Sequence, residues 1–532
     1  METICSYIPY QQTGYFSKLV IDYLNNASQL QPFYEFQPNI EGLQQSINQR
    51  KNFKHRKALV ETLQQQYEGL NVHEKVSANL QLLFDENTFT VTTAHQPNIF
   101  TGPLYVVYKI FHAIKLAEDI QQQLPQYNFV PVYFMGSEDA DLEELNNITI
   151  NERKYVWNTK QTGAVGRMKV DKNLVQLTNE MEGQLSVLPY GGELIKIFRD
   201  AYKEKSTIQQ STLHLLNALF GEYGLIVLIP DNAAFKKMFQ PVLEKELKEQ
   251  FSHKAVSETA KKLEEHYKVQ ASGREINLFY LTDNKRERIE TQNSKFKIQN
   301  LEKEFTEEEI LDELNKNPER FSPNVILRGA LQETILPNIA FIGGGGELAY
   351  WLELKEVFKQ ADVPYPVLFL RNSFLIIDEK QHQTIKKLGL NNEDIFAEEH
   401  ELMKKIVSIN TNNSYALNGK IESFESLYNK LEQQALSIDP TLSNHVLALK
   451  TKALKKLTEL EKKLLRAEKR RFTEQHQHIQ KLKAVLFPNG SLQERTENFS
   501  GIYAIRNKQF FEDVKFYSVS LDQKFAIVTT LK

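Results

Sequence analysis

The sequence predicts an α/β protein whose core is a parallel sheet, with helical insertions and a long helical segment near the C-terminus. Residues 88–116 read as a strand, a polar loop and a helix, and residues 339–351 repeat this plan around a glycine loop. From about residue 418 the apolar residues recur at alternating spacings of three and four, which is typical of a coiled coil. These patterns together favour a ligand-binding core joined to a coiled-coil arm.

The first strand-loop-helix segment is the most informative part of the chain. Residues 88–94 are β-branched or small, and they predict a strand. The polar turn that follows holds three residues that break regular structure: Pro97, Asn98 and Gly102. Thr101 can cap a helix whose first turn contains Pro103. Such a junction presents backbone N–H groups to a ligand, although its spacing is equally typical of an ordinary strand-to-helix connection.

A second predicted strand, residues 129–135, ends next to three acidic residues. Glu138, Asp139 and Asp141 follow it closely, at the edge of the sheet where ligands bind. Carboxylates there can hold Mg²⁺ or a substrate ammonium. Acidic residues also favour the start of a helix, so both interpretations stay open at this point.

A run of four glycines follows the predicted strand at residues 339–342. Gly343, Gly344, Gly345 and Gly346 carry no Cβ, which lets a ligand approach the backbone closely. The run is not G-x-G-x-x-G, and no G-x-x-x-x-G-K-[ST] occurs, so dehydrogenase and P-loop kinase motifs are absent from the sequence. After a further strand at 366–370, Arg371 and Ser373 are candidates to bind phosphate.

The intervening segments are expected to be mostly helical. Residues 14–85 form a helical layer, 193–222 one helix and 225–229 a strand. We divide the chain into a core at 1–417 with insertions at about 150–222 and 232–318, a coiled coil at 418–486, and a tail at 487–532 that packs back on the core. The second insertion is expected to be charged and helical, with one short strand near residues 276–281. The last residues, 516–531, alternate like an edge strand.

The coiled coil suggests a homodimer, because its second arm is longer than the first and leaves an apolar seam uncovered. That arm carries twelve Lys or Arg and four Glu between residues 442 and 486. A nucleic-acid-binding module is therefore an alternative function, and a coiled-coil scaffold without enzymatic activity is another. A solvated flank of the coiled coil explains the same charges.

Composition is that of a globular protein. A net charge of −3 over 532 residues gives no general attraction to nucleic acid or membrane, and the single cysteine, Cys5, excludes a disulfide framework. The first residues do not resemble a secretory signal, and the apolar runs are too short to cross a bilayer. We therefore expect a cytoplasmic protein.

Several motifs together resemble the bacillithiol biosynthesis cysteine-adding enzymes. The family pattern GQQ-x-x-x-FTGPLY-x-x-x-K is matched at residues 96–109, and P-V-F-W-x-x-x-EDHDFEE resembles residues 131–144. The patterns RFSPNVLLRP and GGPGEIAYW resemble residues 320–329 and 343–351. Further matches are LEKKLLRAEKR at 460–470 and LFPNG-x-LQER at 486–495. The resemblance covers nearly the whole chain.

The resemblance implies a Rossmann-like core related to class I nucleotidyltransferases and aminoacyl-tRNA synthetases, with a C-terminal coiled coil used for dimerisation. It implies a ligase that joins L-cysteine to the glucosamine amine of glucosaminyl malate, the last step of bacillithiol synthesis. Amide formation from a free carboxylate requires activation, and ATP with Mg²⁺ is the expected source. Whether the activated group is an adenylate or an acyl phosphate stays open. The partners are then small-molecule substrates, with neither membrane nor nucleic acid expected.

The candidate site residues follow from these motifs. The catalytic candidates are His95, Glu138, Asp139 and Asp141. The candidates for binding substrate or nucleotide are Gln96, Asn98, Thr101, Gly102, Tyr105, Lys109, Arg328, Gly343, Gly344, Gly345, Gly346, Glu347, Tyr350, Arg371 and Ser373. A second nucleotide site is expected at Asn489, Gly490 and Arg495, and no metal ligand is assigned.

Three departures from the family pattern bear on these roles. His95 stands where the family usually has Gly, and Pro97 and Asn98 stand where it has small residues. Ala140 replaces the usual His, which removes an acid–base candidate. His95 can partly replace that function, but the general base and the exact amino-sugar acceptor stay open.

Overall fold

The computed structural model describes residues 2–270, 273–410 and 417–531. They divide into two compact units. The first comprises Cys5–Leu375 and Ser491–Val528, and the second comprises Ile376–Gly490 with the residues up to Ile4 and from Thr529 onward. The predicted domain boundaries at 417 and 486 stay predictions. The two units reflect how densely residues contact one another, and they do not define domain boundaries.

The first unit is built on a sheet of five parallel strands. Their order across the sheet is Val367–Leu370, Asn338–Gly343, Thr88–His95, Asn128–Met135 and Ile226–Leu228. Strand Thr88–His95 lies in the middle, and the chain extends the sheet first on one side of it and later on the other. The strand order therefore reverses between Thr88–His95 and Asn338–Gly343, which is where ligands bind in open α/β sheets. The predicted parallel core is confirmed.

Helix Tyr105–Gln123 connects the first two strands and covers one face of the sheet. The apolar residues whose helical spacing predicts this helix are all buried: Leu104, Val107, Ile110, Phe111, Ile114 and Leu116. Ala113, Leu116 and Ile120 pack with Phe89 of the first strand in the main hydrophobic core. Each fully buried Leu or Ile of this kind contributes about 1.5–3 kcal/mol.

The loop before this helix differs from our prediction. The helix begins at Tyr105 with no side-chain cap, and the buried Thr101 hydroxyl has no hydrogen-bond partner among the described residues. The Thr101 cap is therefore wrong, because Thr101 has a left-handed backbone with φ of 72° that turns it away from the helix start. Asn498 instead holds the loop, donating to the carbonyl oxygen of Phe100 at 2.9 Å and to that of Gly102.

The second insertion contains more sheet than predicted. Four of its strands join Phe321–Pro323, which follows the insertion, in an antiparallel sheet of the order Lys303–Phe305, Lys295–Ile298, Arg286–Gln292, Leu278–Leu281 and Phe321–Pro323. We assigned one strand and read the Lys and Glu residues as a helical face. The charges alternate along exposed strands instead, and Asn293 and Ser294 both have positive φ, which suits a tight hairpin turn.

Two further predictions need correction. The helix expected at 193–222 is two helices, Gly191–Ala201 and Ile208–Phe220, since Thr207 caps the second helix with a full capping box. The C-terminal strand Phe525–Thr530 is not an edge strand. It lies between Thr3–Ile8 and Phe374–Ile377 in a three-stranded sheet and is buried throughout, which its continuous apolar run from Phe525 to Val528 explains.

The second unit contains an antiparallel helix pair. Helix Asn418–Ile438 is followed by a turn at Pro440–Leu442 and by helix Ser443–Lys469. Ser443 donates to Glu432 at 2.9 Å and Lys450 to Asn429 at 2.8 Å, which fixes the pairing. The predicted coiled coil is confirmed, although its second arm is interrupted at Arg470–Phe472 before helix Thr473–Leu486.

The other elements complete the two units. The remaining α-helices are Tyr10–Thr13, Lys18–Leu24, Ile40–Arg50, Arg56–Gln66, Glu74–Leu82, Leu142–Leu145, Lys172–Leu185, Ala233–Glu249, Phe251–Glu264, Glu307–Lys316, Val325–Ile335, Gly345–Trp351, Lys355–Gln360, Glu379–Lys387, Glu399–Asn410, Gln493–Thr496, Ser500–Arg506 and Lys508–Tyr517. Strands Asn147–Ile150 and Arg153–Val156 form a hairpin. Within the described ranges, no helix combines the length and the apolar character needed to span a membrane.

Candidate active site

A cavity of about 560 Å³ opens at the carboxyl edge of the central sheet, where the strand order reverses. Its walls come from the loop after Thr88–His95, the helix that starts at Tyr105, the glycine loop and the second insertion. The lining includes His95, Gln96, Tyr105, Lys109, Asp139, Glu144, Arg274, Phe279, Arg286, Arg328, Gly344, Gly345, Gly346, Glu347, Tyr350, Arg371 and Arg495. A larger cavity of about 990 Å³, lined in part by Glu35, Lys262 and Lys355, contains no predicted site residue.

Positive side chains dominate the lining of this cavity. Six are cationic, and three are carboxylates: Lys109, Arg274, Arg286, Arg328, Arg371 and Arg495 against Asp139, Glu144 and Glu347. Cations gathered within a concave, partly desolvated surface attract anions strongly. The cavity is therefore suited to a ligand that carries carboxylates or phosphates.

Lys109 lies at the bottom of this arrangement. Its side chain is fully buried, forms an ion pair with Glu347 and donates to the carbonyl oxygen of Ala94 at 2.8 Å. Glu347 also accepts from the backbone N–H of Gly344 at 2.7 Å, which holds the glycine loop. Burial lowers the pKa of Lys109, and Glu347 opposes that shift. The pair therefore joins the two strand-loop-helix segments that predicted the site.

His95 lies at the end of the first strand, beside Tyr105. The Nε2 atom of His95 is 3.3 Å from the hydroxyl oxygen of Tyr105. Burial lowers the pKa of His95 well below its ordinary value, and the charges of Lys109 and Arg371 lower it further. His95 is therefore neutral at pH 7, with one ring nitrogen able to accept a proton.

Contacts with neighbouring residues fix the side chain of Arg371. Its guanidinium carbon lies over the ring of Tyr105, at 5.1 Å from the ring centre. It donates to Glu494 at 2.6 Å and to the hydroxyl oxygen of Ser373 at 2.9 Å. Burial alone would lower the Arg371 pKa, but Glu494 outweighs it and raises the pKa. Glu494 belongs to the C-terminal segment, which thereby fixes an arginine of the cavity.

Of the three acidic candidates Glu138, Asp139 and Asp141, Asp139 is the one that lines the cavity. Its Oδ2 atom lies 3.4 Å from Arg328 and accepts from the side-chain amide of Gln96 at 3.2 Å. Burial would raise the pKa of Asp139, but Arg328 and Arg286 outweigh it and hold the pKa below its ordinary value. Asp139 is therefore ionised at neutral pH.

The other two acidic candidates lie elsewhere. Glu138 is buried in an ion pair with Lys236 and accepts from Ser322 at 3.1 Å, and Asp141 is exposed. Neither lines the cavity. Among the residues that the structure describes, no three His, Cys, Asp or Glu side chains are grouped to hold a metal ion.

Several predicted binding residues stand behind the cavity rather than in its lining. They are Asn98, Thr101, Gly102, Gly343 and Ser373. Asn489 and Gly490 are exposed and belong to the second unit, whereas Arg495 lines the cavity itself. The second nucleotide site therefore stays a prediction.

Sequence reasoning missed the wall that the second insertion provides. Arg274 and Arg286 come from residues that we expected to be charged and helical, and Phe279 lies in the one strand that we predicted there. The guanidinium carbon of Arg286 lies 3.9 Å from the centre of the Phe279 ring, on the neighbouring strand. An arginine and an aromatic residue that can face each other across two strands were the signal in the sequence that could have indicated this wall.

The fold and the cavity define a Rossmann-like α/β protein with a candidate binding site, rich in cationic side chains, at the strand-order reversal. Family models agree: the N-terminal Rossmann-like domain of bacillithiol biosynthesis BshC matches residues 3–372, and the C-terminal coiled-coil domain matches residues 374–530. The chain belongs to the BshC family. It is an enzyme of the ligase class, as the name of its full-length relatives indicates.

Curated relatives match over the full length. A protein of Flavobacterium johnsoniae named "Putative cysteine ligase BshC" is 40% identical, with 99% of this chain and 100% of the relative covered. One of the same name from Flavobacterium psychrophilum is 41% identical, with 99% of both covered. A solved structure titled as an arginyl-tRNA synthetase from Campylobacter jejuni covers 80% of this chain and 98% of its own at 11% identity. Its TM-score is 0.21.

Proposed function

We propose that this protein joins L-cysteine to the glucosamine amine of glucosaminyl malate, the last step of bacillithiol synthesis. Support comes from its BshC family membership and from the name of its full-length relatives. The observation that carries the proposal is the convergence of six cationic side chains on one cavity, since both the malate portion and an activating nucleotide are anionic.

Binding of the anionic groups falls to the cationic side chains. Arg328 and Arg371 present guanidinium groups, which match carboxylate and phosphate oxygens in a bidentate manner. Lys109 supplies a buried point charge beside the glycine loop. These groups are held by Asp139, Glu494 and Glu347 respectively, so their positions are set before a ligand arrives.

Asp139 and His95 act on the amine of the amino sugar. An ionised Asp139 attracts the ammonium form of the amino sugar to the cavity. Neutral His95 has a ring nitrogen that accepts the proton which the amine must lose before or during attack on the cysteine carboxyl. His95 thereby takes the acid–base role that Ala140 cannot provide.

ATP is the proposed activator, and the cavity fits it. A volume of about 560 Å³ lies within the usual range for small-molecule sites, and the basic lining suits a triphosphate. When bound, ATP would supply the energy of a phosphate bond to activate the cysteine carboxyl. Mg²⁺ would arrive with the nucleotide, held chiefly by its phosphate oxygens.

The purified protein tests the proposal directly. Incubation with L-cysteine, glucosaminyl malate and ATP-Mg²⁺ should give the amide product, followed by mass spectrometry. Omitting any one substrate should abolish the product. Cells that lack the protein should also lose the thiol from their mass-spectrometric thiol profile. An unchanged profile, with no product in the purified reaction, would contradict the proposal.

A further inference from the structure

Four side chains form a chain of polar contacts from the interior of the first unit to the cavity: Lys236, Glu138, Ser322 and Arg286. Lys236, on helix Ala233–Glu249, pairs with Glu138 at 2.5 Å. Glu138 accepts from the Ser322 hydroxyl at 3.1 Å, and Ser322 accepts from the Nε–H of Arg286 at 3.2 Å. Only Arg286 lines the cavity. Lys236, Glu138 and Ser322 are all buried, with at most 5% of each exposed.

The polarity of this chain is consistent from end to end. The Ser322 hydroxyl has one proton, which it donates to the carboxylate, and its oxygen is then oriented to accept from Arg286. Lys236 neutralises the carboxylate and also donates to the carbonyl oxygen of Phe321 at 2.8 Å. Hydrogen bonds linked in this way strengthen one another in a buried environment.

The chain also joins separate parts of the fold. Glu138 follows a strand of the central sheet, whereas Ser322 and Arg286 lie on strands of the antiparallel sheet in the insertion. The four residues therefore fasten the insertion wall to the ligand edge of the central sheet. A displacement of either part would move the Arg286 guanidinium relative to the cavity.

Arg286 keeps donors for a ligand. Its Nε–H donates to Ser322, and one N–H of its Nη2 atom donates to the carbonyl oxygen of Pro323 at 3.2 Å. The face of its guanidinium group lies on the Phe279 ring. These contacts use two of the five N–H donors of a guanidinium. The remaining donors can bind a carboxylate or phosphate in the cavity.

We propose that Arg286 binds an anionic group of the substrate or nucleotide, and that Lys236, Glu138 and Ser322 are positioning residues that act through it. The inference rests on the proposed function only for the identity of that anion. Glu138 is thus removed from the chemistry that we first assigned to it, because its carboxylate is engaged away from the cavity.

The test is a binding measurement that requires no turnover. Isothermal titration calorimetry with L-malate and with inorganic pyrophosphate gives the dissociation constant of each probe for the full-length protein. Ser322→Ala should weaken the binding of at least one probe about three- to tenfold, which corresponds to the loss of one orienting hydrogen bond. An effect on malate alone assigns a substrate carboxylate, and an effect on pyrophosphate alone assigns a nucleotide phosphate.

A double-mutant cycle separates positioning from general damage to the fold. Arg286→Lys keeps the charge but loses the Nε–H that bonds to Ser322. In that background, Ser322→Ala should change the dissociation constant less than twofold. Ser46→Ala is the matched control, since Ser46 is equally buried and makes one hydrogen bond of 3.1 Å, to Ile339, away from the cavity.

Three results would overturn the inference: neither probe binds in an Arg286-dependent manner, Ser322→Ala binds both probes as wild type does, or its effect is undiminished beside Arg286→Lys. Failure of the ligase reaction with the coupling intact would instead contradict the proposed function alone.

Discussion

Lys109, which is fully buried, and Glu347, which lines the cavity, form an ion pair between helix Tyr105–Gln123 and helix Gly345–Trp351. The two helices begin on opposite sides of the strand-order reversal. A single pair of charges therefore links the two helices at the cavity lining. The desolvation cost of Lys109 makes the pair sensitive to loss of its carboxylate.

Glu347→Gln should destabilise the protein by about 3 kcal/mol, because the buried Lys109 ammonium would lose its anionic partner. Glutamine retains the acceptor for the Gly344 N–H, so the effect isolates the charge. Urea unfolding measures the change. Glu356→Gln, which breaks an exposed pair with Lys359 at 3.8 Å, should cost less than about 0.5 kcal/mol. Equal free energies of unfolding for the two variants would show that the Lys109–Glu347 pair stabilises the protein no more than an exposed pair does.

Gly346→Val should weaken ligand binding while the fold is retained. A Cβ at Gly346 meets no atom within 4 Å, so the valine side chain starts in open space at the cavity lining, where a ligand would lie. Gly345→Val is less informative, because its Cβ would lie 3.2 Å from Val20 and would disturb packing. Calorimetric titration with ATP, alongside far-ultraviolet circular dichroism, checks this. A folded Gly346→Val variant with normal affinity would remove the glycine loop from the site.

Acid should destabilise the protein through His112. This residue is buried, accepts from the N–H of Asn372 at 3.2 Å, and lies 3.2 Å from the carbonyl oxygen of Ser520. Burial lowers the pKa of His112 to about 4. Between pH 6.5 and 4 the unfolded chain binds a proton that the folded chain does not, so stability falls as pH falls, by up to about 1.4 kcal/mol per pH unit.

His112→Asn should reduce that slope, since the titrating group is gone. Urea unfolding between pH 7 and pH 4.5 gives the slope for both proteins. His445→Asn, at an exposed position of helix Ser443–Lys469, controls for the loss of an imidazole. Parallel slopes for wild type and His112→Asn would contradict the assignment.

The sequence revealed the parallel core and two walls of the cavity because those signals are local. Thr88–His95 and the glycine loop each carry their strand, turn and helix patterns within a short segment. The third wall was missed because Arg286 reaches the cavity through strand pairing in an insertion whose charges also suit a helix. Likewise, Glu138 is engaged by Lys236, a residue distant in the chain, and no local pattern reports such a pairing. Thr101 failed as a cap for a related reason, since Asn498 holds that loop from the far end of the chain.

A homodimer should form through the helices of the second unit. Leu460 is 46% exposed and Leu464 is 37% exposed, both on the longer arm beyond most of its partner helix. Leu460→Glu combined with Leu464→Glu should convert dimer to monomer in multi-angle light scattering. Lys452→Glu, also on this arm, should leave the dimer intact. Wild-type protein that is monomeric at micromolar concentration would refute this prediction.

Asp139→Asn should abolish most of the activity without unfolding the protein. The substitution keeps the size of the side chain and removes the charge that attracts the ammonium and pairs with Arg328. We expect kcat/KM for the amine substrate to fall about 10²-fold or more. This is the lower end of the rate loss that removal of a positioned catalytic group causes. Initial rates across pH 6–9 measure this, and circular dichroism confirms folding.

The comparison with Glu138→Gln decides which carboxylate acts on the substrate. Because Glu138 accepts from Ser322 and pairs with Lys236, its amide variant should act through anion binding and raise KM more than it lowers kcat. Asp139→Asn should instead lower kcat/KM at every pH of this range, since it removes the charge that attracts the ammonium. If Asp139→Asn keeps the wild-type value of kcat/KM across this range, the acidic loop has only a structural role, and the ammonium must be recognised by another group of the cavity.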